Sequence, residues 1–219
     1  MNLDKSHQEI TNNMGFCSIV PKNPNLLFGG YPGFPEMQKL QEEGVKYIID
    51  LTTPHEKRRL DVYHAKEYQM MYANFPIEDN FVPRDMNAFH EFIMWLSFTV
   101  GSMKPNEKMY IHCKGGHGRS GLIVACLLCI HYNYTSSDAI AETTEAHRLR
   151  PELAMKWKTR MCPSNSIQRL FVHRISQMSS VDKRVCADPI SQDLENAMNS
   201  ARKRLLQQQH QTTIMTSSS

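Results

Sequence analysis

The stretch that most constrains this chain is Tyr110-Ile-His-Cys-Lys-Gly-Gly-His-Gly-Arg-Ser-Gly121, followed by the apolar run Leu122 to Tyr132. Lys108 to His112 reads as a short strand, and the apolar run as a buried helix. Only a tight loop, Cys113 to Gly118, separates them, with Arg119 opening the helix. Three of the five residues between Cys113 and Arg119 are glycine. Glycine takes positive φ without a side-chain clash, so successive N–H groups can turn inward. At a helix N-terminus such a nest is a cradle for phosphate. The GxxxxGK[ST] order of nucleotide-binding loops is absent, and a cysteine stands at the mouth instead.

The rest of the chain alternates between strand and helix signals, which predicts an α/β fold with a central, mostly parallel sheet flanked by helices in three layers. Strands are expected at Asn25–Gly30, Val45–Leu51, Gln69–Phe75 and Lys108–His112. Helices are expected at Pro35–Glu43, about Asp85–Met103, Thr135 to about Arg150, and Ser166–Met178; Pro54–Glu67 looks helical in part. Prolines bracket Pro76-Ile-Glu-Asp-Asn-Phe-Val-Pro83, so that segment cannot be regular structure. The expected organisation is a flexible N-terminus over 1–16, a catalytic domain over 17–178, and a weakly ordered tail over 179–219 with a helix at 193–209.

Apolar residues make up 41% and charged residues 21%, a globular balance. The formal net charge of +3 is too small to make nucleic-acid binding the main role. No apolar run is long enough for a membrane span, and the first residues carry no secretory h-region. An intracellular, cytoplasmic protein with reduced cysteines is the expectation. Cys126 and Cys129 have the spacing of a zinc pair, but their surroundings are too apolar for a metal loop, so core packing is the better reading and no metal is expected.

Inward N–H groups, the helix dipole, Arg119 and a neighbouring His112 should all favour the Cys113 thiolate, the nucleophilic form. The Arg119 guanidinium offers a planar fork that matches two phosphoryl oxygens. Thiolate and guanidinium on one anion is the arrangement for covalent phosphoryl transfer. Cleaving a phosphomonoester also needs a carboxylic acid on a movable segment. Glu78, Asp79 and Asp85 lie in or beside the proline-bracketed segment.

His112-Cys113-x5-Arg119-Ser120, with its strand and helix, resembles the signature of the cysteine-dependent protein tyrosine and dual-specificity phosphatases, and residues 17–178 resemble the compact dual-specificity domain. The Gly-Gly-His-Gly-Arg-Ser form of the loop also resembles compact phosphatases of large DNA viruses. The resemblance implies Cys113 as nucleophile, Arg119 and the loop residues Lys114, Gly115, Gly116, His117 and Gly118 as phosphate binders, and Asp79 as general acid and then base, ahead of Glu78 and Asp85. It implies that Ser120 stabilises the departing thiolate, that His112 orients the loop and activates the thiol, and that Gln168 positions water. No cofactor is implied.

The absence of long insertions favours hydrolysis of both phosphotyrosine and phosphoserine or phosphothreonine in a phosphorylated protein. Cys-Lys-x-Gly-x-Gly-Arg also resembles the loop of phosphoinositide phosphatases, with His117 where a second lysine stands. A phosphoinositide substrate is thus the first alternative. RNA 5′-triphosphatase activity, for which Lys57-Arg58-Arg59 is the only dense basic run near the cleft, is the second. A non-catalytic phosphopeptide-binding module is the third, and it has no use for Cys113 or Asp79.

Overall fold

The computed structural model describes residues 14–182, with side chains through 177; the expected helix at 193–209 lies outside the described residues. The first compact unit ends at Gln177. The elements in chain order are β1 (Cys17–Val20), β2 (Asn23–Gly29), α1 (Phe34–Glu42), β3 (Val45–Asp50), α2 (Pro54–Lys57), a 3₁₀ turn (Ala65–Tyr68), β4 (Met71–Asn74), α3 (Met86–Ser102), β5 (Lys108–His112), α4 (Arg119–His131), α5 (Ser136–Arg148), α6 (Met155–Lys158) and α7 (Ser166–Asp182). The strands form one sheet in the order β1-β2-β5-β3-β4. Only the β1–β2 pair is antiparallel; β2, β5, β3 and β4 run parallel.

Strand side chains alternate between faces, and the sheet uses both faces for burial. Leu26, Phe28, Ile49, Met109 and Ile111 face a core built with α3, α4, α5 and α7. Leu27, Ile48 and Tyr110 face the opposite way, onto Met37 and Leu40 of α1 and onto Tyr63, Ala65 and Met70. This is the three-layer arrangement the alternation predicts. Helix α4 is buried all round, Arg119 through Cys129. That explains its unpatterned apolar sequence and sets Cys126 and Cys129 in the core, with burial holding Cys126 well above the ordinary thiol range.

Met14, which the sequence groups with the polar N-terminal segment, is fully buried against the α1 side of the sheet. Helix α7 runs on to Asp182, past the expected end at Met178. No helix among the described residues is long and apolar enough to cross a membrane.

Candidate active site

Register brings Gly29 and Asp50 level with His112, so β2, β3 and β5 end together at one edge of the sheet. Crevices at the carboxyl ends of parallel strands are where ligand sites form in such sheets. The loop Cys113–Gly118 starts from this edge. Cys113 N–H donates to the Gly29 carbonyl at 3.3 Å, and Gly30 and Gly115 form a bridge. Gly116 sits at φ +73°, and a Cβ there would collide with the backbone of Gly29 and Gly30. In this position Gly116 N–H donates to Cys113 Sγ at 3.2 Å. Ser120 Oγ lies 3.6 Å from the same sulfur.

Arg119 is 1% exposed. Its Nη1 and Nη2 donate to the two oxygens of Glu56 at 2.7 and 2.8 Å, and Nη1 also donates to the Ile77 carbonyl at 2.9 Å. Nη2 lies 3.1 Å from Asp79 Oδ1, while Nε is buried without a protein partner. Burial alone would lower the guanidinium pKa, but Glu56, Cys113 and Asp79 together raise it. Glu56 is itself fixed by a capping box with Thr53 at the start of α2. Sequence reasoning missed Glu56. Its local signal, Thr53-Pro-His-Glu56, marks a helix start and says nothing of a partner far along the chain.

The segment Pro76–Pro83 is irregular, as its prolines dictate. Ile77 anchors it, buried and hydrogen-bonded through its N–H to the Leu51 carbonyl at 3.1 Å. Asp79 is brought to Arg119 with its side chain 65% exposed. Asp85 instead caps α3, accepting from the N–H groups of Asn87 and Ala88 at 2.9 and 3.0 Å. Glu78 is exposed. Gln168 is fully buried. Its amide donates to the Phe81 carbonyl at 3.1 Å, its Oε1 has no partner, and a Cβ on Gly118 would press on it. It therefore lies between the two loops.

Two histidines depart from expectation. His112 is fully buried, and burial pushes its pKa down to about 4 against the opposing charge of Asp50. The ring is neutral at pH 7, so it adds no charge near the thiol. Its Nε2 is hydrogen-bonded to Tyr63 Oη at 2.5 Å, a partner the sequence did not reveal. His117 turns its Nδ1 to His147 Nε2 at 2.9 Å and stacks on Trp157 at 3.9 Å between centroids. Burial first, then the charges of Arg150 and Lys156, lower its pKa to about 4. It too supplies no positive charge at pH 7. Lys114 is exposed, and only its carbonyl is held, by Tyr31 N–H at 3.1 Å. Lys57 of the basic run is tied to Asp50 at 2.8 Å. A cavity of about 360 Å³ opens beside Gly115 and His117.

Residues 33–169 match the model of the Swiss Army Knife DSP-PTPase phosphatase domain, PTP-SAK. The chain is 44% identical over 140 residues to 197R of Invertebrate iridescent virus 6, covering 60% of this chain and 52% of the relative. It is 36% identical over 148 residues to 067L of Invertebrate iridescent virus 3, covering 68% of this chain and 60% of the relative. Both relatives carry tyrosine-phosphatase names, and the chain spans little more than half their length. It is also 26% identical over 159 residues to the phosphatidylglycerophosphate phosphatase PTPMT2 of Arabidopsis thaliana, covering 71% of this chain and 61% of that protein.

Among solved structures, kinase-associated phosphatase with its catalytic cysteine replaced by serine matches with TM-score 0.58 at 20% identity, covering 75% of this chain and 94% of that one. PTPMT1 bound to PI(5)P matches with TM-score 0.59 at 17% identity, covering 77% and 98%. With the family model matched over more than half its length, this chain belongs to the protein tyrosine and dual-specificity phosphatase family.

Proposed function

We propose that the protein is a cysteine-dependent phosphatase that hydrolyses phosphotyrosine and phosphoserine or phosphothreonine in proteins through a phosphocysteine intermediate. The observation that carries this reading is the convergence on Arg119. A carboxylate from a separate loop lies 3.1 Å from this buried guanidinium, and the sulfur that receives the Gly116 N–H acts on the same guanidinium through its charge. The unpartnered Arg119 Nε and the inward N–H groups of the loop suit the oxygens of a phosphoryl group.

In this mechanism Cys113 attacks phosphorus as the bond to the leaving oxygen breaks, and Asp79 gives that oxygen its proton. Asp79, now a carboxylate, takes a proton from water as the water oxygen attacks the phosphocysteine. The sulfur leaves as thiolate, helped by the Ser120 hydroxyl. Neutral His112, held by Tyr63, orients the start of the loop. Gln168 lies where it can position the water between the two loops.

A lipid phosphomonoester is the second reading, favoured by the kinship to a phosphatidylglycerophosphate phosphatase and by the exposed Lys114 on the loop. The neutral, stacked His117 argues against a multiply phosphorylated ring. The deciding experiment measures phosphate release by wild type and Cys113→Ser from four substrates: a phosphotyrosine peptide, a phosphothreonine peptide, phosphatidylglycerophosphate vesicles and 5′-triphosphorylated RNA. Cys113-dependent release from both peptides, faster than from lipid or RNA, is expected. Preference for the lipid transfers the function to the second reading. Binding of phosphopeptide without turnover makes the protein a binding module.

A further inference from the structure

Three carbonyls of the phosphate loop have donors behind them. Lys114 O accepts from Tyr31 N–H at 3.1 Å, Gly116 O from Arg150 Nη2 at 2.9 Å, and His117 O from Cys162 Sγ at 3.2 Å. Every loop peptide is trans. In a planar trans peptide the C=O and the following N–H point opposite ways. Ties on the outside of the loop therefore aim the N–H groups of Gly115, His117 and Gly118 inward, the side on which Gly116 N–H meets Cys113 Sγ.

Among these three donors Arg150 is the unusual one. It is 5% exposed, and no carboxylate of the described residues pairs with it. Its Nε donates to Ser18 Oγ at 3.1 Å on β1, and the guanidinium lies over the Phe28 ring at 5.8 Å. The fork thus ties the antiparallel edge of the sheet to the phosphate loop. Burying a cation without a counter-charge is costly, and a neutral donor could hold a carbonyl equally well. The cost is offset if the charge acts on an anion nearby, and the loop beside it is built to hold one. The charge is already felt there: after burial, Arg150 is the next cause that holds His117 and His147 down, to about 4 and about 3. With both imidazoles neutral, Arg150 is a fixed positive charge on the outer side of the loop.

We infer that Arg150 is a positioning residue of the phosphate loop: it holds the Gly116 carbonyl outward, so that the His117 N–H faces the phosphoryl oxygens, and it sets a buried positive charge behind them. This rests on the phosphatase reading above. It assigns to α5's C-terminal side a part in oxyanion binding that neither the Cys-x5-Arg signature nor the acid segment contains.

The test measures inorganic tungstate binding by calorimetry, thermal midpoint, and kcat/KM on p-nitrophenyl phosphate. Arg150→Gln, which removes the charge, should bind tungstate about ten- to a hundredfold more weakly, the range for losing a charge-assisted hydrogen bond. Its kcat/KM should fall by a similar factor. Arg150→Lys keeps the charge but not the fork between Ser18 and Gly116, and should recover part of the loss. It also keeps the experiment decisive if the glutamine variant does not fold. A folded variant of either kind with wild-type tungstate affinity and wild-type kcat/KM overturns the inference, whatever its thermal midpoint. Failure of the wild-type protein itself to bind tungstate overturns the phosphatase reading instead.

Discussion

In the phosphate loop the carbonyls of Lys114, Gly116 and His117 are each tied to a donor outside the loop, and Gly116 N–H is spent on the nucleophile. The acid segment across from it is held at its two ends. Ile77 is pinned to Leu51, and Asn165 and Gln168 hold the carbonyls of Asn80 and Phe81 at 3.0 and 3.1 Å. Between these anchors Asp79 reaches Arg119 from solvent with a 65% exposed side chain. One region is fixed before any substrate arrives, and the other can move about its anchors. The difference matches two chemical needs. Dispersed charge on a phosphoryl group is best met by dipoles that need no reorganisation. A proton donor must make room for a leaving group and then for water.

Breaking the fixed side should have the largest effect. Gly116→Ala puts a Cβ into the backbone of Gly29 and Gly30 at a residue held at φ +73°. The loop cannot keep its shape with that atom present, since the neighbours are backbone of β2 and its end. Tungstate binding and turnover should both be lost to detection, with a lowered thermal midpoint in the folded fraction. A Gly116→Ala protein that binds tungstate as the wild type does would show that the loop is adaptable.

Breaking the movable side should leave binding intact. Asp79→Asn keeps the size of the side chain and removes the proton, so turnover of poor leaving groups should fall by about 10²–10⁴. p-Nitrophenyl phosphate, whose leaving group needs little protonation, should be hydrolysed much closer to the wild-type rate. Equal losses on both substrates would mean that Asp79 supports Arg119 rather than donating a proton. Asp85→Ala serves as the control just beyond the same segment. Loss of its cap on α3 should cost about 1 kcal/mol of stability by urea unfolding, with kcat unchanged.

Glu56 joins the two sides, because its carboxylate holds the guanidinium that both address. Glu56→Gln keeps one acceptor and loses the charge. The expected result is about a tenfold loss of kcat/KM, in line with one weakened charge-assisted hydrogen bond, and a smaller loss of stability. A kcat/KM within twofold of wild type would assign Glu56 to the fold alone.

How far the sequence revealed this site depends on the distance over which each part is specified. The phosphate loop was legible because strand, glycines, arginine and apolar helix are contiguous, and each residue limits its neighbours. The choice of Asp79 over Glu78 and Asp85 rested on the family resemblance, while the irregular segment around it was legible through its prolines. Glu56, Tyr63 and Arg150 were not, since their partners, Arg119, His112 and Gly116, come from other elements and meet them only after the sheet forms. Sheet order brings β5 between β2 and β3, and nothing local encodes that neighbourhood. The same reason hid the environment of His112, whose flanking residues do not show that burial will be complete. Strand β1 and the four-residue α6 were missed as well, being too short for a periodic signal.

The last expected effect follows from that buried histidine and is read in stability alone, not in turnover. Burial disfavours the charged form of His112 and pushes its pKa down to about 4 in the folded protein, against an ordinary value of 6.5. Between those values the unfolded chain binds a proton that the folded one excludes. Its contribution to stability is therefore complete above pH 6.5 and is lost as pH falls from there toward 4, at about 1.4 kcal/mol per pH unit. His147, also fully buried and lowered to about 3, acts with the same sign. Asp50 and Glu56 are held below the ordinary carboxylate range by partners that outweigh their burial, and they extend the loss to lower pH. Urea unfolding at pH 7.5 and pH 5.5 should thus give a clearly lower midpoint at the acidic value. Identical midpoints at the two values would mean that His112 and His147 reach solvent, and that the fixed side is less fixed than its hydrogen bonds imply.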